Sequence, residues 1–195
     1  MTDYPSITAE QFTALMGPLR DSRVSTRSQG GKSLSYVEAW DIKAHLTRIF
    51  GFGNWDSEVL EYHHAADRSY PSQDGNKEMV EVVYNCRVQL TIRDPQGRHL
   101  CRHSEAAAGS ASGPISMLGD HHDNALKSAE SDALKRCAIN LGTQFGLSLY
   151  KDGSKSDVIK KVIVVPEGVS KLETPPTDPE AEARVATSLG ATPVE

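Results

Sequence analysis

The chain has 195 residues, with 21 Lys+Arg against 26 Asp+Glu and a formal net charge of -5. That length holds one ordinary domain plus a tail, and a nucleic-acid site on so acidic a chain must be a local stripe rather than a basic whole. Cys86, Cys101 and Cys137 are widely spaced with no CxxC pair, which argues against a disulfide framework and a zinc ribbon and for reduced thiols. The N-terminus lacks a basic-then-apolar leader, and no run approaches the ~18 to 20 apolar residues of a spanning helix, so a soluble, cytoplasmic protein is expected.

In chain order, Thr8 is placed to cap a short helix in which Phe12, Leu15, Met16 and Leu19 recur at helical spacing, until Gly17 and Pro18 interrupt it. A polar, Gly-broken loop runs to Lys32. Ser35 and Glu38 have the spacing of a capping box at the head of SYVEAWDIKAHLTRIFG, whose Ile42, Leu46, Ile49 and Phe50 make one apolar face before Gly51. The period then changes from helical to two. From Val80 to Ile92 apolar residues alternate with polar ones, only Val83 breaking the pattern, which predicts a long half-buried strand.

Asp74-Gly75 and Asp94-Pro95-Gln96-Gly97 are turn chemistry on either side, so WDSEVLEYHH, the long strand and RHLCRHSEAA form a three-stranded antiparallel meander. SGPISMLG reads as a loop. Asp120 or Asp123 then caps a helix of ~25 residues through NALKSAESDALKRCAINLGTQFG, with Ala125, Ala129 and Ala133 small enough for close approach to the sheet. The expected fold is α+β: a three-stranded antiparallel meander packed on a long C-terminal helix, with helices before it. Residues 1–152 make the domain, 153–165 a short β-prone linker or extra strand, and 166–195 an acidic, Pro-rich tail expected to stay disordered.

Lys135 and Arg136 are the one place where cations are set against a packed, small-residue helix. Asn140 and Gln144 follow Arg136 at i+4 and i+8, extending a polar strip able to track a sugar-phosphate chain. Upstream, Arg27, Lys32 and Tyr36 flank Gly30-Gly31 in a segment able to close over the same spot. Cations beside an aromatic ring suit a single nucleic-acid strand. GGKS is not a phosphate-binding loop, because Thr26 stands where the first glycine belongs and no apolar strand precedes it. His63-His64 with Asp67 and His121-His122 with Asp123 offer metal-ligand types, but adjacent strand histidines point to opposite faces and neither group shows a spaced second half. Solvated imidazoles and no metal centre are expected. No catalytic constellation stands out. Arg87, Arg93, Arg98 and Arg102 read as solvent-exposed charges.

Taken together, SLSYVEAWDIKAHLTRIFGFGNW, NCRVQLTIRDPQGRHLCRHSEAAAGSA and ALKSAESDALKRCAINLGTQFG resemble, in order and spacing, the single-strand annealing recombinases typified by eukaryotic Rad Fifty-Two, which have phage relatives. The likeness covers about residues 8 to 151. It implies a fold akin to double-stranded-RNA-binding domains, assembly into a homo-oligomeric ring, and annealing of complementary DNA strands in recombination and repair, without ATP, cofactor or catalysis. By motif position it implies that Lys135 and Arg136 contact phosphates in an inner groove, with Arg27 and Tyr36 beside them. A further arginine common in the family is Ile139 here, so Lys32 or Lys127 would compensate. No counterpart of the family's outer basic site is found in SGPISMLGDHH. Eukaryotic members carry long tails for a recombinase and a single-strand-binding protein; the short tail here leaves only a candidate route to such a partner. A bacterial or phage-infected cytoplasm is the expected setting. Two rival readings are a monomeric double-stranded-RNA-binding module, which the element order also permits, and a metal-dependent nuclease built on the His-His-Asp cluster.

Overall fold

The computed structural model describes residues 6–29, 31–166 and 169. Helix α1 (Ala9–Met16) opens on a reciprocal cap: the Thr8 hydroxyl accepts from the Gln11 N–H, and the Gln11 side-chain oxygen accepts from the Thr8 N–H at 2.9 Å. The Gln11 amide also donates to the carbonyl of Ile49 at 3.1 Å, tying α1 to the end of the next helix.

The segment expected as loop and helix start is instead a hairpin. Strands β1 (Ser25–Gln29) and β2 (Lys32–Tyr36) pair antiparallel from Ser25↔Tyr36 to Gln29↔Lys32. A two-residue connection closes it, with Gly31 at φ 75, a conformation that favours glycine. Because Ser35 is used in the ladder opposite Thr26, the expected Ser35–Glu38 capping box does not form. Helix α2 (Ala39–Phe50) begins after Glu38 without a side-chain cap, the Glu38 carboxylate accepting instead from the Tyr36 hydroxyl at 2.7 Å. Its apolar face is the expected one, with Ile42, Leu46, Ile49 and Phe50 all buried.

Strands β3 (Trp55–Pro71), β4 (Glu78–Arg93) and β5 (His99–Pro114) form the expected meander in the order β3-β4-β5. Val80, Val82, Cys86, Val88, Leu90 and Ile92 are buried on one face of β4. At the second turn the fully buried Asp94 carboxylate accepts from the backbone N–H groups of Gln96 and Arg98. The outer strands are longer than expected. SGPISMLG is not a loop: it is strand through Pro114, a single 3-10 turn over Ile115–Met117, and then helix α3 (Leu118–Ile139).

Neither Asp120 nor Asp123 caps α3. Asp120 lies in its first turn, and Asp123 pairs with Lys127 one turn on. The helix also stops short of the expected end, because Gly142 and Gly146 take φ values of 107 and 92; a 3-10 turn at Thr143–Phe145 and helix α4 (Leu147–Asp152) follow. Helices α2 and α3 and strands β4 and β5 share one core, joined by Leu134, Cys137, Ala138 and Phe145, while Val80, Val82 and Ala125 form a smaller cluster. Residues 153–165 make no strand; Lys155 pairs with Asp21 at 2.9 Å. The expected disordered tail, apart from Pro166 and Val169, lies outside the described residues. Among the described residues no helix is long and apolar enough to cross a membrane.

The long helix lies against the sheet through Ala125, Ala129 and Ala133, each fully buried. A methyl group on Gly109 of β5 would stand 2.3 Å from the Ala129 nitrogen and 2.4 Å from the Ala125 carbonyl oxygen. Backbone atoms cannot swing aside, so Gly109→Ala is expected to destabilise the fold by about 3 kcal/mol or more. Gly119→Ala, which meets nothing within 4 Å, should leave stability unchanged or slightly raised. Urea denaturation followed by circular dichroism compares the two; equal midpoints would contradict this contact.

Candidate nucleic-acid interface

The hairpin β1–β2 is held over the C-terminal end of α3 by a polar knot. Arg23, just before β1, donates to Asp41 of α2 at 2.8 Å and, through Nη1, to the backbone and side-chain oxygens of Gln144 at 2.8 and 3.0 Å. The Gln144 amide in turn donates to the carbonyls of Gly17 and Pro18. Arg23 and Asp41 are both largely withdrawn from water, where a charge-assisted pair is far less screened than on the surface. Gln144 is therefore buried scaffolding and not part of an exposed donor strip.

This seating brings the two cationic segments together around one ring. Arg27 of β1 lies with its guanidinium 5.6 Å from the Tyr36 centroid, and the Lys135 ammonium lies 5.5 Å from the same centroid. Register explains the hairpin half: Arg27 is opposite Leu34, two residues before Tyr36, which makes Arg27 and Tyr36 diagonal neighbours on one face. The helix supplies the other half. The Tyr36 phenol is held above its ordinary value, chiefly by its bond to Glu38.

Lys135 and Arg136 share a partner that the sequence reading passed over. The Asp132 carboxylate is 3.2 Å from the Lys135 ammonium and 3.3 Å from the Arg136 guanidinium. Lys135 is mostly covered, at 17% side-chain exposure, whereas Arg136 stands in solvent at 47%. The pair is thus a packed cation beside the ring and a solvent-exposed one next to it, both held by Asp132. Tyr150 of α4 is a second missed residue: half exposed, its phenol is pushed up by burial and by Asp132, against the charges of Arg136 and Arg27. Tyr150 also lines a cleft of about 420 Å³ between β2 and α4, with Leu34 and Lys151. The only signal for it in the sequence is an aromatic residue after a glycine break, too common to single out.

The remaining expected residues are distributed as follows. Lys32 opens β2 opposite Gln29, and its side chain lies outside the described residues. Asn140 follows the last turn of α3, where its amide donates to the carbonyls of Arg136 and Cys137, as a helix-end cap. Lys127 is exposed and paired with Asp123, two turns or ~12 Å along the axis from Lys135, apart from the Tyr36 cluster. Of the four sheet arginines, Arg87, Arg93 and Arg98 are paired with Glu61, Asp56 and Asp94. Arg87 and Arg102 are exposed, as expected, whereas Arg93 and Arg98 are half-buried.

The family model described as "Rad52/22 family double-strand break repair protein" matches residues 8–165. The DNA repair and recombination protein rad22 of the fission yeast Schizosaccharomyces pombe is 30% identical over 144 residues, 71% of this chain and 27% of the relative. The DNA repair and recombination protein rti1 of the same yeast is 29% identical over 136 residues, 69% of this chain and 33% of the relative. The chain thus spans about a third or less of the length of the curated relatives it matches.

The knot beneath the cluster has a titrating member. His45 of α2 is buried with its ring 5.2 Å from that of Phe145, and Arg48 donates to its Nδ1 at 2.7 Å. Burial, then the charges of Arg23 and Arg48, pushes its pKa from 6.5 down to about 4. A depressed histidine pKa means that the unfolded chain takes up the proton first. His45 therefore costs nothing above pH 6.5, and stability falls as pH drops from 6.5 toward 4. His45→Gln should flatten the dependence of the urea midpoint on pH within that window; a slope equal to that of the unaltered chain would show that His45 is not responsible.

Proposed function

The chain belongs to the Rad52/22 family of double-strand break repair proteins, and from that premise we propose that it binds single-stranded DNA and anneals complementary strands in recombination and repair, without ATP or catalysis. The observation that carries this reading is the convergence of Arg27 and Lys135 on Tyr36 from segments a hundred residues apart, with Arg136 next to Lys135 on the shared Asp132. Cations bind the backbone irrespective of sequence, and exposed aromatic groups such as Tyr150 offer a face to unstacked bases. Lys32, Lys127 and Asn140 would extend the path along the strand. Held by its phosphates, a strand keeps its base edges free to test a partner. Pairing is then downhill by ~1.4 kcal/mol per stacked step on average, which needs no fuel.

Assembly into a ring, each subunit akin to a double-stranded-RNA-binding domain, is the second part of the proposal. Two features support it. Among the described residues, strands β3 and β5 each pair only with β4, leaving two long edges of open backbone groups of the kind that proteins cover or blunt. Trp40 and Phe52 are 71% and 94% exposed, apolar surface that suits an interface between subunits. A recombinase or single-strand-binding partner reached through the tail is the outermost part of the proposal.

The test is direct. Lys135→Ala with Arg136→Ala should abolish single-strand binding and annealing while the oligomer seen by electron microscopy persists. If each subunit contacts about three phosphates, the logarithm of affinity should fall with the logarithm of salt at a slope of about -2 per engaged subunit, and either single substitution should remove about 0.7 of it. Asp132→Asn should raise affinity at low salt, since it frees both cations. Unchanged annealing by the double variant would overturn the site; a monomer indifferent to unpaired strands would overturn the function.

A further inference from the structure

We propose that His64 and Asp67 of β3 and His122 of α3 bind one divalent cation of the zinc class, which staples the edge strand β3 to the long helix. Their candidate ligand atoms all lie within 4.8 Å of one another. In the sequence these residues belong to two separate His-rich groups, and His64 and Asp67, three apart, would fall on opposite faces of a regular strand. A β-bulge removes that obstacle. His64 pairs with Tyr84 and Asp67 with Val82, and the register shift between His64 and Ala66 absorbs the extra residue. Since Tyr84 and Val82 are two apart on β4, both side chains are delivered to the face covered by α3. There His122 meets them, its ring centroid 5.6 Å from that of His64.

The chemistry fits the ion. Two imidazoles and one carboxylate are borderline ligands suited to zinc, and three protein ligands leave a fourth position for water. The Tyr84 hydroxyl lies 3.1 Å from Nδ1 of His122, the outer-shell contact that fixes a ligating ring. The His64 Nε2 and the Asp67 oxygen are already 2.7 Å apart. Tetrahedral bonds of about 2.0 to 2.2 Å require ligand atoms about 3.3 Å apart, so closure needs only ~1.5 Å of movement by side chains. His64 and Asp67 are 44% and 42% exposed, free to make it. The site has a mechanical purpose. Every residue of β3 from Leu60 to Ser69 is exposed, so little apolar burial holds this strand to α3 beyond the Tyr62–Glu130 hydrogen bond at 2.9 Å. Lys135 lies 13 residues farther along α3, ~20 Å by helix rise, so the ion acts on the fold and not on the DNA strand.

The full chain, stripped with EDTA and desalted, is titrated calorimetrically with zinc chloride and, in parallel, with cobalt(II) monitored by absorption. Binding of one ion per chain is expected, with a rise in the thermal midpoint at saturating zinc. His64→Ala and His122→Ala should each weaken zinc binding at least tenfold, while His63→Ala, which alters the opposite face, should not change it. Circular dichroism confirms that each variant is folded. Binding of less than one ion per chain, zinc affinity unchanged by His122→Ala, or a thiolate-to-cobalt charge-transfer band pointing to the cysteines would each overturn the proposal.

Discussion

The fold depends on how closely α3 can lie on the sheet. At Gly109 the helix backbone and the strand backbone meet with no room for a single methyl group, and Ala125, Ala129 and Ala133 keep the helix side equally thin. This contact fixes the height and direction of the whole helix, because packed interiors are bistable rather than continuously deformable. Lys135 and Arg136, farther along the same rod, inherit their position from it. A second close approach, His121 against Gly113 with the His121 Nε2 3.1 Å from the Pro114 carbonyl oxygen, anchors the helix start.

From that rod outward the site is assembled by polar contacts. The apolar core joins α2, α3 and the sheet, but the hairpin that carries Arg27 and Tyr36 has short strands and exposed side chains. Its orientation comes from Arg23, whose guanidinium reaches both α2 and the turn after α3. Unlike apolar packing, such bonds are directional, and a buried pair of this kind gives definition more than net stability. The division is useful: a rigid helix supplies one cation, and a hairpin hung on a few bonds supplies the other.

How much of this was legible depended on whether a residue's neighbours in space were also its neighbours in sequence. The alternation from Val80 to Ile92 and the apolar face of Ile42, Leu46, Ile49 and Phe50 are local periodicities, and both are realised. The membership of the cluster, Arg27 with Tyr36 and Lys135, was read from residue chemistry and family likeness, and the three residues do meet. The hairpin was missed because STRSQ and KSLSY are too polar to signal strands. Their pairing rests on a glycine turn and on anchors at Asp41 and Gln144 that lie 18 and 121 residues from Arg23. The convergence of His64 and Asp67 with His122 was missed for a different reason. A β-bulge changes which face a residue takes, and no periodicity in one strand reveals it.

The charge balance of the cluster bears on the form that the proposed function would require. Arg27, Lys135 and Arg136 are set beside Asp132 and Glu38, so the local excess is a single positive charge. One such site, on a chain of net charge -5, gives a polyanion little reason to stay. Repetition changes the arithmetic: when the same weak site recurs along one strand, each further contact becomes intramolecular and avidity rises steeply without any new chemistry. Weak individual sites also let a strand shift and re-register while remaining held, which a search for complementarity requires. Under the proposed function, Asp132 would act as a moderator, occupying Lys135 and Arg136 when no phosphate is present and lowering the cost of letting one go. A cluster of this composition suits a surface built from many copies better than it suits a tight site on a lone subunit.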